Sequence, residues 1–130
     1  MSALLELDGA TFRYRGALEP ALRDVSLTVE PGSSLGIVGE SGSGKSTTLN
    51  LLLGLARPEK GAVRFDGVDL TGRDVVRRLR RDVQPVFQDP YASLDPRMRV
   101  DRIVAEPLIS LGIDRDGPAG GPGSPPSWPR

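Results

Sequence analysis

Apolar and polar side chains alternate along two stretches near the start of the chain. Leu5 and Leu7 are interleaved with Glu6 and Asp8, and Val25, Leu27 and Val29 with Ser26, Thr28 and Glu30. A period of two predicts strands with one buried and one wetted face. The pattern then changes. Leu35-Gly36-Ile37-Val38 is an unbroken apolar run, suited to a parallel strand covered on both faces. Leu49, Leu52, Leu53 and Ala56 match the i, i+3, i+4, i+7 template, which predicts a helix over 45–56 stopped by Arg57-Pro58. Alternation returns at Val63-Arg64-Phe65, and Asp66-Gly67 is a strong turn signal ahead of Val68-Asp69-Leu70. Val75, Val76 and Leu79 sit among five arginines in 73–82 and predict a short surface helix. Those arginines read better as a solvated face than as an anion site. The order predicts an α/β fold with a flanking antiparallel β region.

The segment between the 35–38 run and the predicted helix is Gly39-Glu40-Ser41-Gly42-Ser43-Gly44-Lys45-Ser46-Thr47, a complete G-x-x-x-x-G-K-[ST] phosphate loop. Three glycines let the backbone curl around an anion with several N–H groups pointing inward and no Cβ in the way. Lys45 is placed to reach the β- and γ-phosphates, the Ser46 hydroxyl to ligate Mg²⁺, and Thr47 to bond the α-phosphate. The N-terminus of the following helix favours the same anion. A strand before the motif and a helix after it supply the context it requires. Nucleoside triphosphate with Mg²⁺ is the ligand this predicts.

Composition narrows the chemistry. The 130 residues are 38% hydrophobic, enough for a core of ordinary size. Seventeen basic and 17 acidic residues cancel, which argues against nucleic acid as the main partner. No cysteine or histidine is present, so thiol nucleophiles, Ser-His-Asp triads and ordinary zinc sites are excluded. Any metal must be held by oxygen, which suits Mg²⁺ on a phosphate. The first residues carry no basic start followed by an apolar core, and the apolar run around Leu51 to Ala56 is far below the ~18 residues of a membrane span. A cytoplasmic location is expected.

The order of features now resembles a known family. Tyr14 after a first strand, Val25 in a second, the phosphate loop, the Asp66-Gly67 turn and Val86-Phe87-Gln88-Asp89-Pro90-Tyr91-Ala92-Ser93-Leu94-Asp95-Pro96 resemble the ATP-binding subunits of ABC transporters. The last segment is most similar to the oligopeptide/dipeptide importer branch, and the resemblance covers Leu4 to about Ile113. It implies the partial P-loop NTPase core of an ABC ATPase. It implies ATP binding and hydrolysis driving uptake of peptides or related solutes. Tyr14 would stack on adenine with Val25 against the same base, and the Gln88 amide oxygen would approach Mg²⁺ or the attacking water. Residues 89–100 would dock on a membrane-spanning permease subunit, at the inner face of the cytoplasmic membrane. A second ATP-binding subunit would complete the site. Two plainer readings stay open: Tyr14 as strand packing and Gln88 as a polar strand end.

The chain also departs from the family pattern. It has no L-S-G-G-Q-like signature, no apolar run ending in Asp-Glu, and no switch histidine. Lys45, Ser46 and Gln88 are then a partial catalytic set. Asp89 is a poor substitute for the water-orienting acid. Nine of residues 114–130 are Gly or Pro and none is Val, Ile, Leu or Phe, a composition expected to be disordered. Residues 1–113 are therefore expected to be the N-terminal part of an ABC-type nucleotide-binding domain. Residues 114–130 look like a frameshifted or prematurely ended tail. The alternatives are a catalytically dead fragment, or a nucleotide-binding piece that docks on a membrane subunit without hydrolysis.

Overall fold

A computed structural model describes residues 2–89 and 91–112. The Gly/Pro-rich 114–130 segment, Ile113, and Pro90 of the predicted docking segment lie outside the described residues. The chain divides into two compact units, the first ending at Gln84 and the second beginning at Pro85.

The first unit is built on an antiparallel sheet of four strands in the order β2-β1-β3-β4. These are β1 (Leu5–Phe12), β2 (Leu22–Val29), β3 (Lys60–Phe65) and β4 (Val68–Asp69). Both alternating stretches of the sequence form the strands they predict. Leu7 pairs with Leu27 on one side and Val63 on the other, so the apolar residues share one face. Asp66 (φ 51°) and Gly67 (φ 76°) make the tight turn between β3 and β4, the left-handed pair that matches strand twist. On the wetted face Arg64 bridges three strands. Its guanidinium meets Glu6 and Asp8 of β1 at 3.1 Å each and Asp69 of β4 at 3.2 Å. The Asp8 hydrogen bond, opposed by partial desolvation and helped by the charges of Glu6, Asp69 and Asp8 itself, holds Arg64 above the ordinary arginine range.

Helix α1 (Lys45–Leu52) lies against this sheet. Leu51 is fully buried with Leu7, Ala10, Val63 and Phe65. The helix is four residues shorter than its apolar period predicts. Gly54 (φ 66°) ends it: the Gly54 N–H donates to the Leu51 carbonyl at 3.0 Å and the Leu55 N–H to the Asn50 carbonyl at 2.9 Å, the two bonds of a Schellman cap. The buried face also differs from the expected one. Thr47, Thr48, Leu51 and Leu52 are buried, whereas Leu49 is half exposed.

Helix α2 (Arg73–Asp82) forms over the residues predicted. Leu79 is buried, and Arg78 reaches Asp66 at 2.7 Å while lying over the Phe65 ring at 5.4 Å. Arg73, Arg77, Arg80 and Arg81 are exposed, as a solvated helix face requires.

One predicted element is not formed. Residues 33–40 carry no strand pairing, and Leu35, Ile37 and Val38 are exposed, Val38 almost completely. A parallel strand is defined by its neighbours, and among the described residues none pairs with this run. The same holds for Val86 and Phe87 in the second unit, both exposed and outside any strand.

The second unit holds a turn-rich segment and α3 (Val100–Ser110). Asp89 organises the segment. Its carboxylate accepts from the backbone N–H of Tyr91 at 3.0 Å and of Ala92 at 3.3 Å, while its carbonyl accepts from the Ser93 hydroxyl at 2.7 Å. Tyr91, Leu94 and Met98 are exposed, and Val100, Val104 and Leu108 form an exposed stripe at helical spacing along α3.

Gly61 is the tightest point of the sheet. Its φ is +81°, and a Cβ there would stand 2.3 Å from the Asp8 carbonyl oxygen and 2.4 Å from that of Gly9, at the register shift between β1 and β3. Gly61→Ala is expected to cost about 2–4 kcal/mol of unfolding free energy, from left-handed strain and backbone clash together. Urea unfolding followed by circular dichroism measures it. A loss below about 0.5 kcal/mol would mean the bulge has room to move.

Candidate functional site

The phosphate loop connects the unpaired 33–38 run to the first turn of α1. Its N-terminal side is held by a turn in which the Ser43 N–H donates to the Glu40 carbonyl at 3.2 Å. Gly44 caps the helix with φ 95°, where a Cβ would meet the Ala21 carbonyl oxygen at 3.0 Å and Leu22 Cδ2 at 2.8 Å. The loop thus turns into the helix against the start of β2, and only glycine fits there. At Gly39 a Cβ would stand 2.6 Å from Ser43 Oγ, so the two arms of the loop nearly touch.

Lys45 folds back across this curve. Its Nζ donates to the carbonyl oxygens of Gly39 and Glu40, both at 2.6 Å, and to Ser43 Oγ at 3.3 Å. The ammonium therefore sits within the mouth of the loop. The Gly44 carbonyl accepts from both the N–H and the hydroxyl of Thr48 at 2.9 Å, closing the first helical turn. The amides of Lys45, Ser46 and Thr47 precede that bond and have no acceptor within the helix. A cation, a set of unspent N–H donors and a helix N-terminus converge on one spot, an arrangement that suits a polyanion. Ser46 is exposed in the same turn, and Ser41 is exposed on the loop. A hydroxyl beside the phosphates is a hard oxygen donor of the type Mg²⁺ takes.

Tyr14 lies beside the loop. Its hydroxyl and Thr47 Oγ1 are 2.9 Å apart, and its ring stands edge-on to Phe12 at 4.9 Å between centroids and 87° between planes. Half of the residue remains exposed. Tyr14 is thus held by its polar tip and one ring edge. The buried Thr47 hydroxyl, expected from the sequence to serve a phosphate, is shared with Tyr14. The pairing joins residues 33 positions apart, and no local pattern signals it. Val25 pairs with Ala10 across β1 and β2 and packs, partly buried, against the core. Gln88 belongs to the second unit and is exposed there. Among the described residues no three acidic side chains gather to hold a metal, and no helix is long and apolar enough to cross a membrane.

Loop and helix together define a P-loop fold. The comparison with known proteins narrows this. Residues 22–117 match the ABC transporter family, and the chain belongs to it. It is 51% identical over 98 residues to the oligopeptide transport ATP-binding protein OppD of Mycobacterium tuberculosis, covering 74% of this chain and 16% of that protein. It is 42% identical over 104 residues to the probable peptide ABC transporter ATP-binding protein y4tS of Sinorhizobium fredii, covering 78% of this chain and 30% of that one. The glutathione import ATP-binding protein GsiA of Pectobacterium atrosepticum is 50% identical over 98 residues, covering 73% of this chain and 16% of that protein. Among solved structures, the dimeric post-hydrolysis state of the ATP-binding cassette MJ0796 bound to ADP and Pi superposes with a TM-score of 0.70 at 32% identity, covering 82% of this chain and 47% of that one. The chain spans about a sixth to a third of the length of these transport relatives. The fold is that of an ABC-type ATPase, with part of the P-loop core and the antiparallel β region beside it.

Tyr14→Phe tests the tie between ring and loop. It keeps the Phe12 contact and removes the partner of a buried hydroxyl, so a loss of about 1 kcal/mol is expected. Tyr14→Ala should cost more, through the lost ring contact. Denaturant midpoints of the two variants check this, and a Tyr14→Phe chain as stable as the parent would show that the Thr47 bond contributes nothing.

Proposed function

We propose that the chain is the ATP-binding portion of an ABC importer subunit for peptides or related solutes. On this reading residues 1–113 belong to the N-terminal part of the nucleotide-binding domain. The observation that carries the proposal is the phosphate loop itself, with Lys45 folded into its mouth and glycine at each point of close approach. Similarity to OppD, y4tS and GsiA supports the solute class.

The roles follow from position. Backbone amides of 42–47 bond the phosphates, and the Lys45 ammonium leaves the Gly39 and Glu40 carbonyls to neutralise the β- and γ-phosphates. Thr47 exchanges its Tyr14 partner for the α-phosphate. Tyr14 then presents its ring to adenine, with Val25 behind it. Ser46 would hold Mg²⁺, which when bound neutralises charge on the phosphates. The exposed Tyr91, Leu94 and Met98 are apolar groups suited to a membrane-subunit helix, and Asp89 keeps their segment folded. A second ATP-binding subunit is the natural partner, and the work is done at the cytoplasmic face of the membrane.

A nucleotide-binding role without hydrolysis is favoured for the 130 residues acting alone. They contain no apolar run ending in Asp-Glu and no L-S-G-G-Q-like segment to face a second phosphate loop. Each 1.36 kcal/mol of lost transition-state stabilisation costs about tenfold in rate, so losing both should silence turnover.

Two measurements follow. Calorimetry should show Lys45→Ala losing more than about a hundredfold in Mg-ATP affinity, the loss of charged hydrogen bonds to two phosphates, and Tyr14→Ala losing about five- to a hundredfold through stacking. Equal affinities for parent and Lys45→Ala would sink the nucleotide site. Steady-state phosphate release by the chain alone should not exceed that of Lys45→Ala. Lys45-dependent turnover would mean that another acid, Asp89 foremost, orients the water.

A further inference from the structure

A cavity of about 310 Å³ opens in the first unit beyond the C-terminal end of α1, between β3, β4 and α2. It is separate from the phosphate loop, since about 9 Å of α1 lies between Lys45 and Leu51, the first lining residue. Its walls are largely apolar, with Leu51, Ala56, Val63 and Val76 among them. Two guanidinium-bearing residues also line it, Arg57 from the loop after α1 and Arg80 from α2. Both are exposed, and among the described residues neither pairs with a carboxylate. The one acidic lining residue, Asp69, is already bonded to Arg64 at 3.2 Å. The helix end nearest the cavity is muted too, because the Asn50 and Leu51 carbonyls are taken by the Schellman bonds. Uncompensated positive charge over an apolar floor remains.

We propose that this cavity binds a small amphipathic anion, whose apolar body lies against Leu51, Ala56, Val63 and Val76 and whose carboxylate or phosphate head pairs with Arg57 and Arg80. The volume is at the lower end for small-molecule sites, which sets the body at several methylene groups rather than a long acyl chain. An inorganic anion would leave the apolar walls wet, and a neutral alcohol would leave the guanidinium groups unpaired. A cation of the same length would be repelled. Because the walls include α1, β3 and α2, a ligand there braces the elements around the Schellman cap. The inference stands independently of the nucleotide reading.

Methyl NMR of the full 130-residue chain tests it, following Ala56, Val63 and Val76 during titration with octanoate, octyl phosphate, octanol and octyltrimethylammonium. Saturable shifts with the two anions are expected, with octanol at least about tenfold weaker, the equivalent of one charged contact. Octyltrimethylammonium should not saturate. Arg57→Ala and Arg80→Ala should each reduce anion affinity about tenfold and leave octanol unchanged, while Arg57→Lys and Arg80→Lys retain most of it. Stronger binding of octyl phosphate than of octanoate would assign a phosphate head, and the reverse a carboxylate. Lys45→Ala should alter none of these values, whatever it does to ATP. Equal binding of octanol and octanoate, shifts that never saturate, or full anion affinity in both alanine variants would each overturn the proposal.

Discussion

The seating of α1 on the antiparallel sheet is the contact on which the rest of the first unit depends. Leu51 and Leu52 fill the space over Leu7, Val63 and Phe65, and Thr47 and Thr48 continue the same buried face toward the helix N-terminus. Burial of that face fixes the direction of the helix axis. It therefore fixes where the unsatisfied amides of the first turn point. The phosphate loop is shaped by this constraint at both ends: Gly44 fits against the Ala21 carbonyl because the helix starts so close to β2, and Tyr14 reaches Thr47 because β1 runs beneath it.

The same helix shows what the sheet does not satisfy. A helix apolar on two sides belongs between two layers, and α1 has one covered. Leu49 remains half exposed, and the apolar run Leu35 to Val38 meets solvent with its backbone unpaired. Alternating strands need one buried face and find it within these residues. A fully apolar strand needs neighbours on both edges and layers on both faces, which makes it the last element to become stable. An exposed apolar edge of this kind is also where chains associate.

Charge is handled locally. Arg64 draws Glu6, Asp8 and Asp69 into one cross-strand cluster, and Arg78 ties the β3–β4 turn to α2. Partly exposed pairs of this kind contribute little stability each, and their larger effect is on register and on which cations stay available. Lys45 spends its three donors on loop oxygens, a position from which a phosphate can claim it. Among the described residues Arg57 and Arg80 have no such partner beside their apolar cavity.

Sequence by itself determined the elements whose stability is local or one-sided. Period-two alternation located β1 and β2, Asp66-Gly67 located the turn between β3 and β4, the Val75, Val76 and Leu79 spacing located α2, and the glycine and lysine spacing located the phosphate loop. Each of these rests on a few adjacent residues. Tertiary structure decided what depends on distant groups. It ended α1 at Gly54 through backbone bonds rather than at Pro58, because a left-handed glycine offers the carbonyls better partners than another helical turn would. It chose the Thr47, Thr48, Leu51, Leu52 face over the Leu49 face, because the sheet lies on that side. It joined Tyr14 to Thr47 and gave Val25 a core contact. It left residues 35–38 without a strand, because their composition specifies burial, and burial is a property of neighbours.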